Sequence, residues 1–386
     1  MITSSSAQLD IKFEVLIHDG LVDFSSIHHV NIELSENMHD LAVLEISGIP
    51  PDFISTYVDL PITIKLTVAK TRINIFNGYI TYLEPRSLTN DGLVNSSPFQ
   101  NTVMHCIGAS YVMRNRRTDV WNDVTLPQIA TNLANKYNLT VSVPQNNYRF
   151  PRLVQSGESD WHLLKKACNY LGYRLSMRRT HIDIWDPFAS LSRYRTAPLY
   201  TLQGSIGNLN AEPGQIIDFK AMVGAVTPES AKVPDTIHAL VNNRIVTLSK
   251  DVSTGFGTPV KSIFEDEVPA NASTIEMADA VLTGRSRDKF PYTAKVTVVG
   301  DPAIVPGTLV QLYKYNSPVD GLWIVKSVRH EMMRGSAVSY LTLEKDSDYS
   351  PNIEPSEKVF FSSTPPEPII KDLRWIATND FVEVYS

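Results

Sequence analysis

Apolar residues recur at every second position through long stretches of both halves of this chain of 386 residues, and the pattern lapses in between. Leu9, Ile11, Phe13, Val15 and Ile17 open the series, followed by Val30, Ile32 and Leu34, then Ala42, Leu44 and Ile46. Ile62, Ile64, Leu66 and Val68 continue it, then Ile73 and Ile75, Tyr79 to Tyr82, and Val103, His105 and Ile107. Period two places alternate side chains on one face of a strand, so each run reads as a strand with one buried face. Many short strands separated by turn residues fold into a sandwich or barrel. Lys70-Thr71-Arg72 already closes a hairpin, so Asn77-Gly78 is read as a bulge.

The period changes at about residue 118. Thr125 is an N-cap, Pro127 sits in the first turn, and Leu126, Ile129, Leu133 and Tyr137 form one stripe of a helix that Asn138 ends. "LTVSV" follows as a strand. A second unit repeats the order. Ser159 caps, Asp160 lies where the helix dipole favours an anion, and Trp161, Leu164, Ala167, Cys168 and Leu171 make the stripe. Gly172 supplies a left-handed stop. Tyr173, Leu175 and Met177 then alternate with Arg174, Ser176 and Arg178, and Ile182 and Ile184 follow a polar turn at Arg179-Thr180. Trp161 and Cys168 read as core, not chemistry.

Alternation returns from about residue 206. "QIIDFKAMV" and "IHALVNNRIVTLS" are strand candidates, residues 273–289 look helical, and four strands follow, "YTAKVTVVG", "TLVQLYK", "GLWIVKSVRHEM" and "AVSYLTLEK". Beyond Lys345 prolines and serines predominate, as in an extended arm. The expected division is a first β domain at 1–117, an α/β module with two helix-strand units at 118–205, a second β domain at 206–347 and an arm at 348–386.

Hydrophobic residues make up 43% and charged ones 20%, and the net charge is −6. There is no basic cluster to hold nucleic acid tightly. Cys106 and Cys168 both sit in apolar segments, which argues against a disulfide framework or a cysteine zinc site. The start of the chain lacks the pattern of a secretory signal, and no apolar run is long enough to span a bilayer, so a chain made in a cytoplasm is expected.

Candidate chemistry is sparse. Gly255-Phe-Gly257-Thr-Pro lacks the GK[ST] ending of a phosphate loop. His28-His29 with Asp23 and His39 matches no metal spacing, and adjacent strand residues face opposite ways. His181 and Asp183 share a strand face but have no evident nucleophile. Glu265, Asp266 and Glu267 read as a solvated loop, and there is no Gly-x-Ser-x-Gly elbow. No enzyme activity, metal or cofactor is expected.

The stretch around the second helix, with Gln155, Glu158, Ser159, Asp160, Trp161, Leu164, Ala167, Leu171, Gly172 and Tyr173, resembles the signature module of phage tail hub proteins, the late-control gene D family. That family is similar to the baseplate hub of contractile phages and to the base of type VI secretion spikes. "NIFNGYIT", with Gly78, "VMHCIGASYVMRNR" and "LPQIATNLANKYNLTV" resemble the family's first barrel and first helix-strand unit. The closing strands, with Pro306, Gly307, Gly321, Val325 and His330, resemble those of its second barrel. The match in order extends over roughly residues 5 to 347. The chain departs from the pattern in having no C-terminal lysozyme or repeating spike segment.

The resemblance implies a mainly β fold, two tail-tube-like β-barrel domains with the α/β module inserted, assembled as a ring-forming homotrimer of pseudo-sixfold symmetry. It implies a place in the virion tail baseplate, built in the host bacterial cytoplasm, between a hexameric tail tube or distal tube protein and a separate trimeric central spike. Tape measure and other baseplate or wedge proteins are the further partners, DNA passes through the lumen without specific binding, and no membrane anchoring is implied. Phe360, Phe361, Trp375, Phe381 and Val384 would make the arm's contact with spike or baseplate. Rival readings are a spike base of a phage-like secretion or bacteriocin particle, a tail-associated cell-wall hydrolase, and a carbohydrate- or receptor-binding protein using Tyr111, Trp121 and Tyr148.

Overall fold

The computed structural model describes residues 11–18, 20–22, 26–47, 54–68, 71–86, 101–187, 199–203, 216–223, 236–241, 244–249, 292–313, 321–333, 336–345, 372–375 and 381–384. Alternation builds the first strands: β1 (Ile11–Ile17), β2 (Gly20–Leu21), β3 (Ile27–Ser35) and β4 (Leu41–Ser47). A one-turn helix α1 (Ile54–Tyr57) precedes β5 (Pro61–Val68), β6 (Thr71–Arg86) and β7 (Asn101–Gly108). Val30, Ile32, Ala42, Leu44, Ile62, Ile64 and Met104 point to one core, which also takes in Val296, Val328 and Leu341 from the second half.

The bulge expected at Asn77-Gly78 lies elsewhere. Gly78 is in regular register, opposite Ile62 on one side and Gly108 on the other. The register shifts fall on either side of it, between Ile64 and Lys65 of β5 and between Ile80 and Tyr82 of β6. Gly78 is needed for closeness, because a Cβ there would lie 2.1 Å from the Ile107 carbonyl oxygen.

A 3-10 turn at Ala109–Arg114 leads into the module. It comprises β8 (Arg116–Thr125), α2 (Leu126–Lys136), β9 (Thr140–Ser142), β10 (Arg149–Ser159), α3 (Asp160–Tyr170), β11 (Arg174–Arg178) and β12 (His181–Trp185). Both helix starts are as the sequence predicts. Thr125 forms a capping box with Gln128, and the Ser159 hydroxyl accepts from the His162 N–H. Leu126, Ile129, Leu133, Trp161, Leu164 and Cys168 share a second core with Leu175 and Ile182. β12 pairs antiparallel with β11 and parallel with β9, so the two helix-strand units close on one small sheet. The ribbon of β8 and β10 is an addition to the sequence reading.

The second half supplies β13 (Leu199–Gln203), β14 (Ile216–Val223), β15 (Thr236–Val241) and β16 (Arg244–Ser249). It continues with β17 (Tyr292–Val299), β18 (Leu309–Tyr313), β19 (Gly321–Met333) and β20 (Ser336–Lys345), and β21 (Asp372–Trp375) and β22 (Phe381–Val384) follow. "IHALVNNRIVTLS" is a hairpin, with Val241 of β15 opposite Arg244 of β16, and not a single strand. The helical stretch expected at 273–289 lies outside the described residues.

Both halves join in one sheet of thirteen strands, whose main path is β14-β17-β20-β19-β3-β4-β7-β6-β5-β1-β2, with β18 on β19 and β13 on β18. The junction is β19 with β3, antiparallel from Ser327 opposite Ser35 to Met333 opposite His29. The path repeats itself. β3, β4, β7 and β6 are connected as β14, β17, β20 and β19 are, and the bulges recur at corresponding places. β3 shifts between Ile27 and His29 as β14 does between Ile216 and Asp218. β6 shifts between Ile80 and Tyr82 as β19 does between Val325 and Ser327. The repeat is imperfect, since β1 runs antiparallel to β5 whereas β13 runs parallel to β18.

Replacing Gly78 by Ala forces its new methyl into the β7 backbone. A loss of about 2 kcal/mol or more in unfolding free energy is expected by urea titration, since overpacking against backbone has no flexible side chain to yield. Unchanged stability would show that β6 and β7 do not approach so closely.

Candidate functional site

Few of the described side chains converge as a catalytic or ligand site would. Among the described residues no three His, Cys, Asp or Glu side chains gather to hold a metal. A recess lined by Gly300, Asp301, His330 and Met332 has no room for a water molecule. Polar groups converge instead where the large sheet meets the module, and the β3–β4 turn is the piece that enters that joint.

Glu36, at the start of the turn, is buried and accepts from Arg174 Nη1 of β11. Arg174 Nη2 donates to Glu344 Oε2 of β20 at 3.2 Å, and Lys326 Nζ of β19 donates to Glu344 Oε1 at 2.5 Å. The Glu36 N–H donates to the Lys326 carbonyl at 3.2 Å. One guanidinium thus ties the module to both repeats of the sheet. Arg174, Glu36 and Glu344 are buried and Lys326 is partly exposed at their edge, so the two cations balance the two anions, as buried ions require. Burial lowers the Lys326 pKa, but the Glu344 carboxylate beside it outweighs that and the net shift is upward.

The rest of the turn continues the joint. Asn37, at φ +60°, donates its N–H to the Leu175 carbonyl at 2.6 Å, and its Oδ1 accepts from the Leu175 N–H at 3.2 Å. His39 stacks on Trp161 with ring centroids 5.3 Å apart, and its Nδ1 is 2.6 Å from Ser110 Oγ. Burial and the nearby Lys165 hold the His39 pKa below its usual value. The Asp40 carbonyl accepts from Gly108 at 2.7 Å. On the far side, Arg178 donates to the Pro306 carbonyl at 3.1 Å, and Arg179 to that of Asn74 at 3.1 Å.

Asp160 is completely buried at the start of α3. Its Oδ1 accepts from Arg117 Nε and Gln155 Nε2, both at 2.8 Å. Its Oδ2 accepts from Lys136 Nζ at 2.6 Å and Tyr137 Oη at 2.7 Å. Burial raises its pKa, but the hydrogen bonds from Gln155, Lys136 and Tyr137 and the charge of Arg117 more than offset this, so the net shift is downward. Asp160 therefore pins α3 to β8, β10 and the end of α2.

The other predicted residues are placed as follows. Glu158 accepts from Lys166 Nζ at 3.0 Å, and Leu164 is fully buried. Gly172 has φ +69°, and the Tyr173 hydroxyl accepts from Asn146 at 2.8 Å. Gly307, at φ +81°, lies against the Trp185 ring, where a Cβ would come within 3.1 Å, and Gly321 opens β19 at φ +125°. His330 is buried, and its Nε2–H donates to the Ile304 carbonyl at 3.2 Å while Nδ1 accepts from Ser339 Oγ at 2.8 Å. Trp375 lies in β21 and Phe381 and Val384 in β22, which pair with each other as a ribbon. Phe360 and Phe361, like Asp23, the Gly255-Gly257 loop and the acids at 265–267, lie outside the described residues.

The alternation expected of His28 and His29 does not hold, because the register shift between Ile27 and His29 puts both between the buried Ile27 and Val30, with His28 exposed and His29 partly buried beside Glu331 at 3.3 Å. His181 contacts Thr140 and Ser142, and Asp183 pairs with Arg178 instead of orienting the imidazole. Tyr111, Trp121 and Tyr148 pack against the module's core and do not form one exposed cluster. Both cysteine thiols are buried and pushed up by burial, away from the reactive range. Sequence reasoning missed Glu36, Arg174, Lys326 and Glu344 as a group. Arg174 falls on the expected polar face of β11, but that face is covered by the sheet.

No protein-family profile and no curated protein matches the chain. Solved structures do. A tail protein from Neisseria meningitidis aligns over 88% of this chain and 98% of its own with a TM-score of 0.58 at 15% identity. The 43 kDa tail protein of prophage MuSo2 from Shewanella oneidensis aligns over 88% and 97% with a TM-score of 0.57 at 14% identity. An Escherichia coli component of the type VI secretion system aligns over 88% and 78% with a TM-score of 0.53 at 10% identity. At these identities the likeness is one of fold. The chain has the mainly β fold of phage tail proteins and of a secretion-system counterpart.

One outcome follows from the joint and one from His330. Arg174→Met leaves Glu36 and Glu344 short of their buried cation and is expected to cost about 3–5 kcal/mol in urea titration. Adding Glu36→Gln should recover part of that loss, and equal stability of single variant and parent would rule the cluster out as a structural tie. His330 gives a pH signature. Burial lowers its pKa from 6.5 to about 4, with the Ile304 hydrogen bond acting weakly the other way. A depressed histidine favours the folded state above pH 6.5, and that stability is lost as the pH falls from 6.5 to about 4. The loss is about 3 kcal/mol, which His330→Gln should remove from the acid limb of a stability-against-pH curve. An identical limb in the variant would refute the assignment.

Proposed function

We propose that the chain is a structural hub of a phage-type tail baseplate. It forms a homotrimeric ring of pseudo-sixfold symmetry that joins a hexameric tail tube to a trimeric central spike. The observation that carries this reading is the repeat of one strand arrangement within one sheet, down to its bulges. Three copies of a chain with two like repeats present six like sectors, and a closed ring of them matches sixfold symmetry on one side and threefold on the other. Each repeat corresponds to a tube-like barrel domain, at 1–117 and 206–347, with the module of 118–205 bracing the outside.

The sheet face turned away from the core supports a channel wall. It carries Glu33, Glu45, Glu84 and Glu331 beside Lys295 and Arg329, a mixture that gives a polyanion no basic track to bind. DNA would pass without specific contact, and the tape measure protein would end there before ejection. The arm of 348–386 would engage the spike or other baseplate chains through Phe360, Phe361, Trp375, Phe381 and Val384. Likeness to a type VI secretion component favours one second reading, the spike base of a phage-like secretion or bacteriocin particle.

Electron microscopy of the purified chain tests the reading. Top views with three subunits and six lobes around a hole are expected, and compact monomers at micromolar concentration would overturn the ring.

A further inference from the structure

The connection of residues 300–308, between β17 and β18, is held by the sheet on one side and holds the module on the other. The Gly300 N–H donates to the Ala337 carbonyl at 2.8 Å, and the Gly307 N–H to the Val325 carbonyl at 2.8 Å. Between these two points the connection hangs on His330 and Ser339. The Ile304 carbonyl accepts from His330 Nε2 at 3.2 Å. Ser339 Oγ accepts from the Asp301 N–H at 3.2 Å and donates to His330 Nδ1 at 2.8 Å. The outward end meets the module twice. The Pro306 carbonyl takes Arg178 at 3.1 Å, and the Trp185 ring lies against Gly307. This is a second tie between module and sheet, at the other end of β11 from Arg174.

The imidazole at the centre of this tie has no answer to a positive charge. His330, Ser339 and Asp301 are all buried, and the recess they share with Leu66, Met332 and Ala337 has no room for a water molecule. A protonated ring donates from both nitrogens. Nδ1–H would then meet the hydroxyl that now donates to it, and the Ser339 hydrogen would be displaced with no water to receive it. Asp301 is the other titratable group lining the recess. Burial raises its pKa, and its Oδ1 accepts from the Ala303 N–H at 3.0 Å. Arg329 and Glu331 flank His330 on β19, and Glu33 of β3 lies opposite Arg329, all on the other face of the sheet. A charge so enclosed and unpaired is costly, and moving the connection away relieves it. We infer that His330 is an acid-operated latch: its protonation releases residues 300–308 from the sheet and frees Arg178 and Trp185 of the module from them, while sheet and module stay folded. The tie through Glu36, Arg174 and Glu344 contains no histidine, so release leaves the module attached at one end of β11 and loose at the other. The other histidine at the contact, half-buried His39, faces Trp161, Ser110 and Lys165 in the β3–β4 turn. The latch belongs to the single chain, whatever that chain assembles into.

Hydrogen exchange of the full chain, corrected for the intrinsic rate at each pH, reads the latch amide by amide. Protection of the Gly300 and Gly307 amides is expected to fall about tenfold per pH unit from 6.5 to about 4. Protection of the Asn37 and Gly108 amides, which bond the Leu175 and Asp40 carbonyls, should hold over the same range. His330→Gln keeps a donor and an acceptor but cannot titrate, so protection of residues 300–308 should become flat with pH. A fall that survives in this variant would belong to His39 or to the carboxylates and would overturn the latch. Ser339→Ala removes the hydroxyl that donates to the neutral ring, so release should move to higher pH. An unchanged midpoint there would rule out the His330–Ser339 contact as the element that titrates. Loss of all four amides together in the parent would mean that acid unfolds the whole chain, and steady protection at Gly300 and Gly307 would mean that the connection stays in place. Either result overturns the inference.

Discussion

The ladder between β3 and β19 is the constraint on which the rest of the molecule depends. It turns two strand sets into one sheet and thereby fixes where the β3–β4 turn must lie. Because β3 is internal to the sheet, its turn emerges between the two repeats and not at a border. Glu36 can then bond the Lys326 backbone and still reach Arg174. Without that ladder the module would have one repeat to dock on and the guanidinium one carboxylate to meet.

The joint is held by charge where an apolar contact would serve as well for stability. Burying Arg174, Glu36 and Glu344 carries a desolvation cost that their mutual attraction offsets only when the geometry is right. Greasy surfaces tolerate sliding, whereas a guanidinium fork between two carboxylates accepts one orientation. Asp160 does the same inside the module, taking four donors from three different elements and Tyr137. Both clusters fix angles between rigid pieces, which suits a part whose role is geometric.

Local structure was largely legible in the sequence. Thr125 and Ser159 cap helices, Gly172 adopts its left-handed turn, and the alternating runs of both halves form strands, because each signal acts within a few residues. What stayed hidden depends on distant partners. β8 is mostly polar along "RRTDVWNDVT" and forms a ribbon because β10 lies beside it. Gly78 was noticed for a dipeptide that usually turns, yet its reason is the carbonyl of Ile107. The charged joint was invisible because Arg174 on an alternating strand looks the same whether water or another sheet covers that face. Pro306 and Gly307 lie in the turn before β18 and His330 lies within β19, and nothing in the sequence indicated that Arg178 of the module reaches the Pro306 carbonyl.

The β3–β19 ladder also sets an order of events during synthesis. Ser35 of β3 and its partner Ser327 of β19 lie far apart in sequence, so the whole stretch between them must be made before that edge can be closed. Contacts so remote in sequence form late, since the loop between them costs entropy before any hydrogen bond is returned. Until then the nascent first half carries an open, apolar-faced strand that invites pairing with other chains. An edge left open that long makes folding of this chain sensitive to concentration, since neighbouring nascent chains compete with β19 for the same strand.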